Sequence, residues 1–394
     1  MTKAILVRKK KKVGRYPAPG ILRNHFVAET SAGIDTCSRI NSLLPSDEVP
    51  YLLLHGDAET ELRKLPEGLV HCAITSPPYW RQRTYESGSG LGAENDRRDY
   101  ISRLVRIFRE LRRVLRKDGS FWLNIGDTYY KKQLCGIPWQ AVIALQADGW
   151  ILRNAIIWDK VKGNPDNSKD KLRNMYEFIF HLVMSEEYYY NADEIRNPPG
   201  QPSYKNGKVV TPTGVSGGKY KRQIVESKDL SSLEKANALK ALTEALRKVT
   251  DGRMPDFRMI IRGCQRSTHS DSPEFSGRAT ELIKRGFCIL PYHANGTKPG
   301  DVWRIIPEDE WRKDQHYAVF PKEICQIPIK ATSPKGGLVL DPFAGTGTTL
   351  VAAIELGRRG IGIDTSAEYL GVARHRAEHA LQIFSETQSQ RTLF

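Results

Sequence analysis

The segment that most constrains the fold is Leu338–Thr349, LVLDPFAGTGTT. Three apolar residues predict a buried strand, Asp341 stands at its carboxyl end, and a turn with Gly345 and Gly347 leads into a helical segment. Glycines let a backbone approach a ligand closely, and open α/β sheets bind ligands at the carboxyl ends of their strands. The segment therefore predicts a cofactor loop at the edge of a parallel sheet.

A second acid supports this interpretation and limits the chemical class of the cofactor. Asp364 ends the next apolar segment, 23 residues after Asp341, where a carboxylate can accept hydrogen bonds from both ribose hydroxyls of an adenosine group. The loop lacks the third glycine of a dinucleotide fingerprint and the Gly-Lys-Ser/Thr of a phosphate loop, which disfavours both of those nucleotide sites. The simpler alternative is a tight structural turn beside a surface acid.

Apolar runs alternate with helical periodicity along most of the chain. Strands are predicted at residues 51–57, 69–75, 121–125, 151–158, 337–340 and 360–363. Helices are predicted at residues 59–65, from an Asp99 cap to 115, and at 137–147, 321–330, 350–356 and 367–384, with an aromatic-rich hairpin at 176–190. This order predicts a doubly wound α/β fold: a mostly parallel, Rossmann-like sheet with an antiparallel strand and helices on both faces. The pattern breaks near Asn197, and we expect an excursion from the core there, with a charged helix near residues 230–249.

The turn Thr75–Trp80, TSPPYW, follows the second predicted strand. Pro77 and Pro78 remove two backbone donors, so the turn presents carbonyl oxygens and the Ser76 hydroxyl. Tyr79 and Trp80 add aromatic rings. Acceptors beside a stacking ring suit a planar group with an amino substituent, such as a nucleobase, although proline turns near aromatic residues are also common in purely structural settings.

The net charge of +15 is unevenly distributed. Residues 1–30 carry +7 and residues 200–298 carry +9, whereas the remainder sums to −1. Such an excess of positive charge predicts an acidic partner, most simply nucleic acid. The alternatives are that the charge serves binding to a membrane surface or serves only solubility. The arginines of the predicted helix at 99–115 indicate a solvent-exposed helix face in preference to a row of phosphate contacts.

Other features exclude several protein classes. The six cysteines (Cys37, Cys72, Cys135, Cys264, Cys288 and Cys325) form no CxxC pair and accompany no histidine cluster, so we expect neither a metal site nor a disulfide framework. No apolar run approaches the length of a membrane span, and no apolar stretch follows the basic start. A cytoplasmic protein that contacts no membrane is predicted.

Together, the two motifs resemble those of the S-adenosylmethionine-dependent DNA amino-methyltransferases, in the permuted arrangement called the beta group. Ser76–Tyr79 is similar to the catalytic motif of that family and Asp341–Gly347 to its cofactor motif, and the catalytic motif comes first by 265 residues. The resemblance covers roughly residues 51–195 and 301–385, including the stretch 316–321. It implies a basic arm at 1–45, a catalytic half at 46–196, a target-recognition domain at 197–300 and a cofactor half at 301–394.

The resemblance also implies roles for individual residues. Ser76, Pro77, Pro78 and Tyr79 would be catalytic, with Tyr79, and more weakly Trp80, stacking on a flipped base. Asp341, Phe343, Gly345, Thr346, Gly347 and Asp364 would bind S-adenosylmethionine. Asp57 would contact the adenine amino group of the cofactor or simply cap a helix. Serine at position 76 is usual for cytosine N4 in this family, whereas aspartate is usual for adenine N6.

We therefore expect a site-specific methyltransferase that acts on N4 of a flipped cytosine in double-stranded DNA, with adenine N6 as the alternative. An RNA base methyltransferase and a non-catalytic DNA-binding regulator are further alternatives. No Pro-Cys pair is present for carbon-5 chemistry. The resemblance further implies a bacterial or archaeal cytoplasm, a companion restriction endonuclease in a restriction–modification system, and a monomer or homodimer.

Overall fold

A computed structural model describes residues 27–28, 51–82, 90–162, 167–205, 208–212, 217–264, 277–307 and 321–392. Most of the predicted basic arm and the stretch 316–320 lie outside these residues. Cys37 lies outside them as well.

The described residues form one large sheet and three small antiparallel ribbons. The strands are β1 (Val27–Ala28), β2 (Tyr51–His55), β3 (Val70–Thr75), β4 (Leu115–Ile125), β5 (Tyr129–Tyr130), β6 (Gln133–Leu134), β7 (Ile151–Asp159), β8 (Tyr176–Val183), β9 (Ser203–Lys205), β10 (Lys208–Val210), β11 (Phe257–Ile261), β12 (Phe287–Pro291), β13 (Val302–Arg304), β14 (Leu338–Asp341) and β15 (Arg359–Asp364). The large sheet has the order β1-β2-β15-β14-β3-β4-β8-β7-β13. Only β8 runs antiparallel to its neighbours, β4 and β7.

Helices cover both faces of this sheet. The helices are α1 (Ala58–Lys64), α2 (Arg97–Val114), α3 (Ile137–Ala147), α4 (Gly217–Glu226), α5 (Ser232–Thr250), α6 (Gly277–Arg285), α7 (Lys322–Thr332), α8 (Thr348–Glu355) and α9 (Ala367–Thr392), with a 3-10 turn at Ala192–Ile195. Successive strand residues point to opposite faces. Leu52 and Leu54 therefore pack with α1, α2 and α3, while Leu53 packs with α8 and α9. The predicted doubly wound, mostly parallel α/β fold is confirmed.

Two local predictions were wrong. Asp96, not Asp99, caps α2, and its carboxylate accepts a hydrogen bond from the Arg98 N–H. The aromatic stretch 176–190 is not a hairpin by itself, because β8 pairs with β4 and β7. The rings of Tyr188 and Tyr190 lie 5.6 and 6.1 Å from the ring of His181, so they pack against β8 instead of forming a second strand.

The basic segment 197–300 has its own packing. Helices α4 and α5 and the β11–β12 ribbon share a cluster of buried side chains that includes Tyr220, Phe257 and Phe287. The ends of the segment meet where Asn197 and Thr297 exchange two backbone hydrogen bonds, of 2.8 and 3.1 Å. The predicted helix near 230–249 is α5. The assignment of this segment as a target-recognition domain, and the other domain boundaries, stay predictions.

The remaining predictions concern cysteines, arginines and membrane contact. The five cysteines that the structure describes are free thiols, and its described residues contain no cluster of three potential metal ligands. Several α2 arginines form ion pairs at the surface, such as Arg109 with Asp148 and Arg98 with Asp96, as a solvated face would. No helix within the described ranges is both long enough and apolar enough to cross a bilayer.

Candidate active site

The two sequence motifs meet because their strands are neighbours. β3 and β14 pair in parallel, with Leu340 opposite Ala73, so their carboxyl ends lie side by side. The Thr75 hydroxyl donates a 2.6 Å hydrogen bond to Asp341 Oδ1. The turn that begins at Ser76 and the loop that begins at Pro342 therefore start from one buried contact.

Asp341 is satisfied entirely by protein groups. It is 1% exposed, and its carboxylate accepts from Thr75, from the Thr349 hydroxyl at 2.7 Å and from the Phe343 N–H at 3.0 Å. Burial raises the pKa of Asp341 to about 6, while these hydrogen bonds oppose the rise. The Asp341 side chain therefore stabilises the conformation of the loop. A direct contact of this side chain with a cofactor stays a prediction.

The glycine turn needs its glycines for backbone reasons. Gly345 and Gly347 have φ of 52° and 78°, the left-handed region that favours glycine. A Cβ on Gly347 would also lie 2.7 Å from that of Ala373. The guanidinium of Arg376, 8% exposed, binds the Thr346 carbonyl at 2.7 Å and the Thr346 hydroxyl at 3.0 Å. Helix α9 therefore holds the glycine turn in place through Ala373 and Arg376.

Asp364 connects the glycine turn to the next helix. One carboxylate oxygen accepts from the Gly345 N–H and the other from the Ser366 N–H, both at 2.8 Å. Burial raises the pKa of Asp364, and these two hydrogen bonds oppose the rise. A carboxylate can accept about four hydrogen bonds, so Asp364 retains capacity to accept from a ligand.

Asp57 follows β2 and caps α1. Its Oδ1 accepts from the Glu59 N–H at 3.1 Å and the Thr60 N–H at 3.2 Å. Of the two roles considered for this residue, the structure provides the helix cap. The side chain is exposed at the same sheet edge as Asp364, and a contact with a cofactor stays a prediction.

A chain of hydrogen bonds starts at Ser76. The Ser76 hydroxyl donates to Tyr79 Oη at 3.1 Å, and the Tyr79 hydroxyl donates to Glu177 Oε2 at 2.7 Å. Burial, and then the charge of Glu177, raise the pKa of Tyr79 well above its usual value, so the phenol remains a neutral donor. The Ser76 proton is therefore engaged by Tyr79, and the lone pairs of the Ser76 oxygen are left as acceptors.

Glu177 reaches this site through the antiparallel strand. It stands near the amino end of β8, next to Phe178, which pairs with Ile125 near the carboxyl end of β4. Asn124 donates to Glu177 Oε2 at 3.0 Å, and Lys160 donates to Oε1 at 2.5 Å. An antiparallel strand brings its amino end to the edge where parallel strands bring their carboxyl ends.

The aromatic pair of the turn has two different environments. Trp80 is 3% exposed and donates its indole N–H to the Glu94 carbonyl at 2.8 Å. A side chain this buried cannot stack on a base, so the prediction of Trp80 as a second, weaker stacking candidate was wrong. Tyr79 is half-buried, and a Cβ on Gly126 would lie 2.7 Å from its ring. The Pro78 carbonyl is occupied by the Tyr100 hydroxyl at 2.9 Å, and Pro77 is buried.

The sequence analysis did not predict a role in this arrangement for four residues: Asn124, Lys160, Glu177 and Arg376. The sequence carries one signal for them, because Glu177 is the single charge in the aromatic run YEFIFHLV. A buried carboxylate without a partner is costly, so a charge at that position indicates a specific partner.

Comparison with known proteins gives consistent results. The sequence matches the profile of the N6/N4 family described as DNA methylase over residues 70–375. It is 32% identical to the type II methyltransferase M.SfiI of Streptomyces fimbriatus, over 86% of this chain and 94% of that protein. It is 28% identical to the type II methyltransferase M.SmaI of Serratia marcescens, over 88% and 97% of the two chains.

A solved structure has a similar fold. The cytosine-N4-specific PvuII DNA methyltransferase aligns with a TM-score of 0.51 at 13% identity, over 85% of this chain and 92% of that one. At this identity the likeness concerns the fold alone, and it agrees with the mostly parallel sheet covered by helices.

Proposed function

The chain belongs to the DNA methylase family, and from this premise we propose that it methylates N4 of cytosine in duplex DNA. It is an S-adenosylmethionine-dependent DNA methyltransferase of the N4/N6 type. The finer assignment, to cytosine, rests on serine at position 76 and on the hydrogen bonds that orient its hydroxyl.

The observation that carries the proposal is the chain Ser76 to Tyr79 to Glu177. An exocyclic amino nitrogen is a poor nucleophile because its lone pair is delocalised into the ring. Two acceptors placed on its two N–H groups favour a pyramidal nitrogen with a free lone pair. Ser76 Oγ, whose proton is committed to Tyr79, and the Pro77 carbonyl are proposed as these two acceptors.

The target base has to leave the duplex to reach this turn. The Tyr79 ring is proposed to pack on the extruded base, since Glu177 holds its hydroxyl and Gly126 leaves room beside it. Positioning and fixed dipoles then supply most of the acceleration. During transfer the nitrogen would gain the methyl group as the bond between that methyl and the cofactor sulfur breaks. The proton that the nitrogen loses would pass to solvent, so N4-methylcytosine is the expected product.

The residues around the glycine turn fit S-adenosylmethionine. Asp364 retains acceptor capacity for two ribose hydroxyls, and the left-handed Gly345 and Gly347 bring backbone close to a ligand. Phe343, which is half-buried, Thr346, Asp341 and Asp57 complete the proposed cofactor set. When bound, the cofactor supplies the methyl group as an electrophilic sulfonium substituent.

The proposal is tested by product analysis. The purified protein is incubated with plasmid DNA and S-adenosylmethionine, the DNA is digested to nucleosides, and the products are identified by mass spectrometry. N4-methylcytosine is expected. N6-methyladenine alone would overturn the cytosine assignment, and methylation of RNA but not DNA would overturn duplex DNA as substrate.

A companion restriction endonuclease, a monomeric or homodimeric state and a cytoplasmic location remain predictions. They are consistent with relatives that are type II methyltransferases.

A further inference from the structure

A small hairpin beside the catalytic turn has an unusual backbone. Strands β5 and β6 pair antiparallel, so Lys131 and Lys132 alone form the turn. Their φ angles are 48° and 66°. Two-residue turns of this kind strongly prefer Asn-Gly, because side chains are strained at positive φ. Backbone strain of this sort is concentrated at functional sites.

The strain coincides with positive charge. Arg81 also has a positive φ, of 56°, and it directly follows the catalytic turn. Its guanidinium carbon lies 5.0 Å from the centre of the Tyr130 ring, and Lys131 Nζ lies 5.5 Å from the same centre. Three of the four non-glycine residues that have positive φ in the described ranges are therefore basic residues at this corner.

A neighbouring segment enlarges this patch. Lys171 Nζ lies 4.9 Å from the centre of the Tyr129 ring, and Asp170 accepts from Lys132 at 3.2 Å. We define the hairpin surface by its exposed basic residues Arg81, Lys131, Lys132 and Lys171. The acid Asp170 lies among these four cations, where it pairs with Lys132. The chain outside the two basic segments has a net charge of −1, so its total charge does not reveal this local excess of positive charge.

The hairpin is held firmly to the catalytic turn. The Thr128 hydroxyl donates to the Trp80 carbonyl at 2.9 Å, and the Gln82 amide donates to the Asp127 carbonyl at 3.0 Å. The Asp127 carboxylate accepts from the N–H groups of Gly136 and Ile137, at 2.9 and 3.0 Å. A group bound by the hairpin is therefore fixed relative to Ser76.

We propose that the hairpin surface binds the phosphates of the DNA strand that carries the target base, next to the extruded nucleotide. The inference rests on the proposed function, in which duplex DNA is the substrate. An extruded base keeps its two flanking phosphates, and these have to be held while the base is in the site. Cations that are held over aromatic rings suit this task, and such contacts carry no sequence information.

The test is the double variant Lys131→Asn with Lys132→Gly. It removes two charges and installs the sequence that the turn prefers, so the hairpin keeps its shape and loses its strain. Duplex affinity is measured against salt concentration by fluorescence anisotropy. The slope of log affinity against log salt should decrease by about 2, equally for target and non-target duplexes, since each phosphate contact contributes about 0.9. Cofactor binding should not change.

The matched control is Lys117→Ala with Lys335→Ala. Both lysines are exposed and lie near the amino ends of β4 and β14, at the opposite edge of the sheet. Their removal should leave the slope unchanged. Equal slopes for the wild type and the hairpin variant, in a preparation whose wild type methylates DNA, would overturn the hairpin proposal alone. A wild type that binds no duplex would overturn the proposed function as well.

Discussion

The Thr75 hydroxyl donates a 2.6 Å hydrogen bond to the Asp341 carboxylate, between residues 266 positions apart. Thr75 is the last residue of β3 and Asp341 the last of β14. The catalytic turn and the cofactor loop follow these two residues directly. One buried contact therefore sets the spacing between the acceptor on the base side and the loop on the cofactor side.

Replacing Thr75 by valine should destabilise the protein. The change keeps the side-chain volume and removes a hydrogen bond to a buried carboxylate, which contributes about 1.5–3 kcal/mol. Urea unfolding at pH 7.5 should show a loss of that size. The control Thr243→Val, on an exposed face of α5, should change the unfolding free energy by less than about 0.5 kcal/mol. Equal losses in both variants would show that the contact is unimportant.

Much of this arrangement could be predicted from the sequence. The acid at the end of an apolar strand, the two glycines and the paired prolines each constrain the backbone locally, so Asp341, Gly347 and Ser76 could be placed on elements without a structure. That the two motifs share a sheet edge followed from parallel strands alone. The direct contact between Thr75 and Asp341 depends on β3 and β14 being neighbours, which local sequence does not determine.

Replacing Ser76 by alanine should reduce methyl transfer by about 10²–10³-fold, the typical loss when one oriented group is removed from the reacting centre. Single-turnover transfer of labelled methyl groups to DNA measures the rate, and calorimetry measures cofactor affinity, which should stay the same. Ser76→Thr keeps the hydroxyl and should retain more activity than alanine. Unchanged turnover in the alanine variant would contradict the acceptor role.

Replacing Glu177 by glutamine should lower the rate without lowering cofactor affinity. The carboxylate accepts from Tyr79, Asn124 and Lys160, so its loss leaves Tyr79 and Ser76 without a fixed orientation. Misplacement of this kind costs roughly 10²-fold in rate. The readout that separates positioning from simple destabilisation is kcat measured at saturating DNA, together with the unfolding midpoint. Exposed Glu186, changed to glutamine, is the control, and equal kcat in both variants would contradict the positioning role.

Glu177 and Arg376 were missed because their partners are distant in sequence. Glu177 acts on a turn 98 residues away and Arg376 on one 30 residues away. Helical or strand periodicity reports which face a residue occupies, and not which loop lies opposite. The antiparallel direction of β8, which places Glu177 at the site, was hidden by an aromatic run that also fitted a local hairpin.

Replacing Asp364 by alanine should weaken S-adenosylmethionine binding by at least about tenfold, since hydrogen bonds to a charged group contribute about 1.5–3 kcal/mol. Asp57→Ser is the informative companion, because serine still caps α1 but is shorter. Unchanged stability with weaker cofactor binding in Asp57→Ser would assign Asp57 to the cofactor. Calorimetry that shows no loss for Asp364→Ala would contradict the ribose assignment.

His181 should make the protein sensitive to acid. Its ring stacks on Trp122 with centroids 4.1 Å apart and contacts Ser120 Oγ at 3.1 Å. Burial, and then the charge of Arg153, lower the pKa of His181 from 6.5 to about 3. Below pH 6.5 the unfolded chain therefore binds a proton at His181 that the folded protein does not. The free energy of unfolding should decrease by about 1.6 kcal/mol between pH 6.5 and pH 5 from this group alone.

The double variant His181→Phe with Ser120→Ala isolates that contribution. It removes both polar partners, which is far less costly than leaving one of them unpaired in the core. Urea unfolding at pH 6.5 and pH 5 should show a smaller pH-dependent loss in the double variant than in the wild type, by about 1.6 kcal/mol. As the control, replacing His379, whose side chain is exposed, by glutamine should leave the pH-dependent loss of the wild type unchanged. If the double variant loses as much stability as the wild type, the acid sensitivity arises from other groups and His181 is not held neutral by the core.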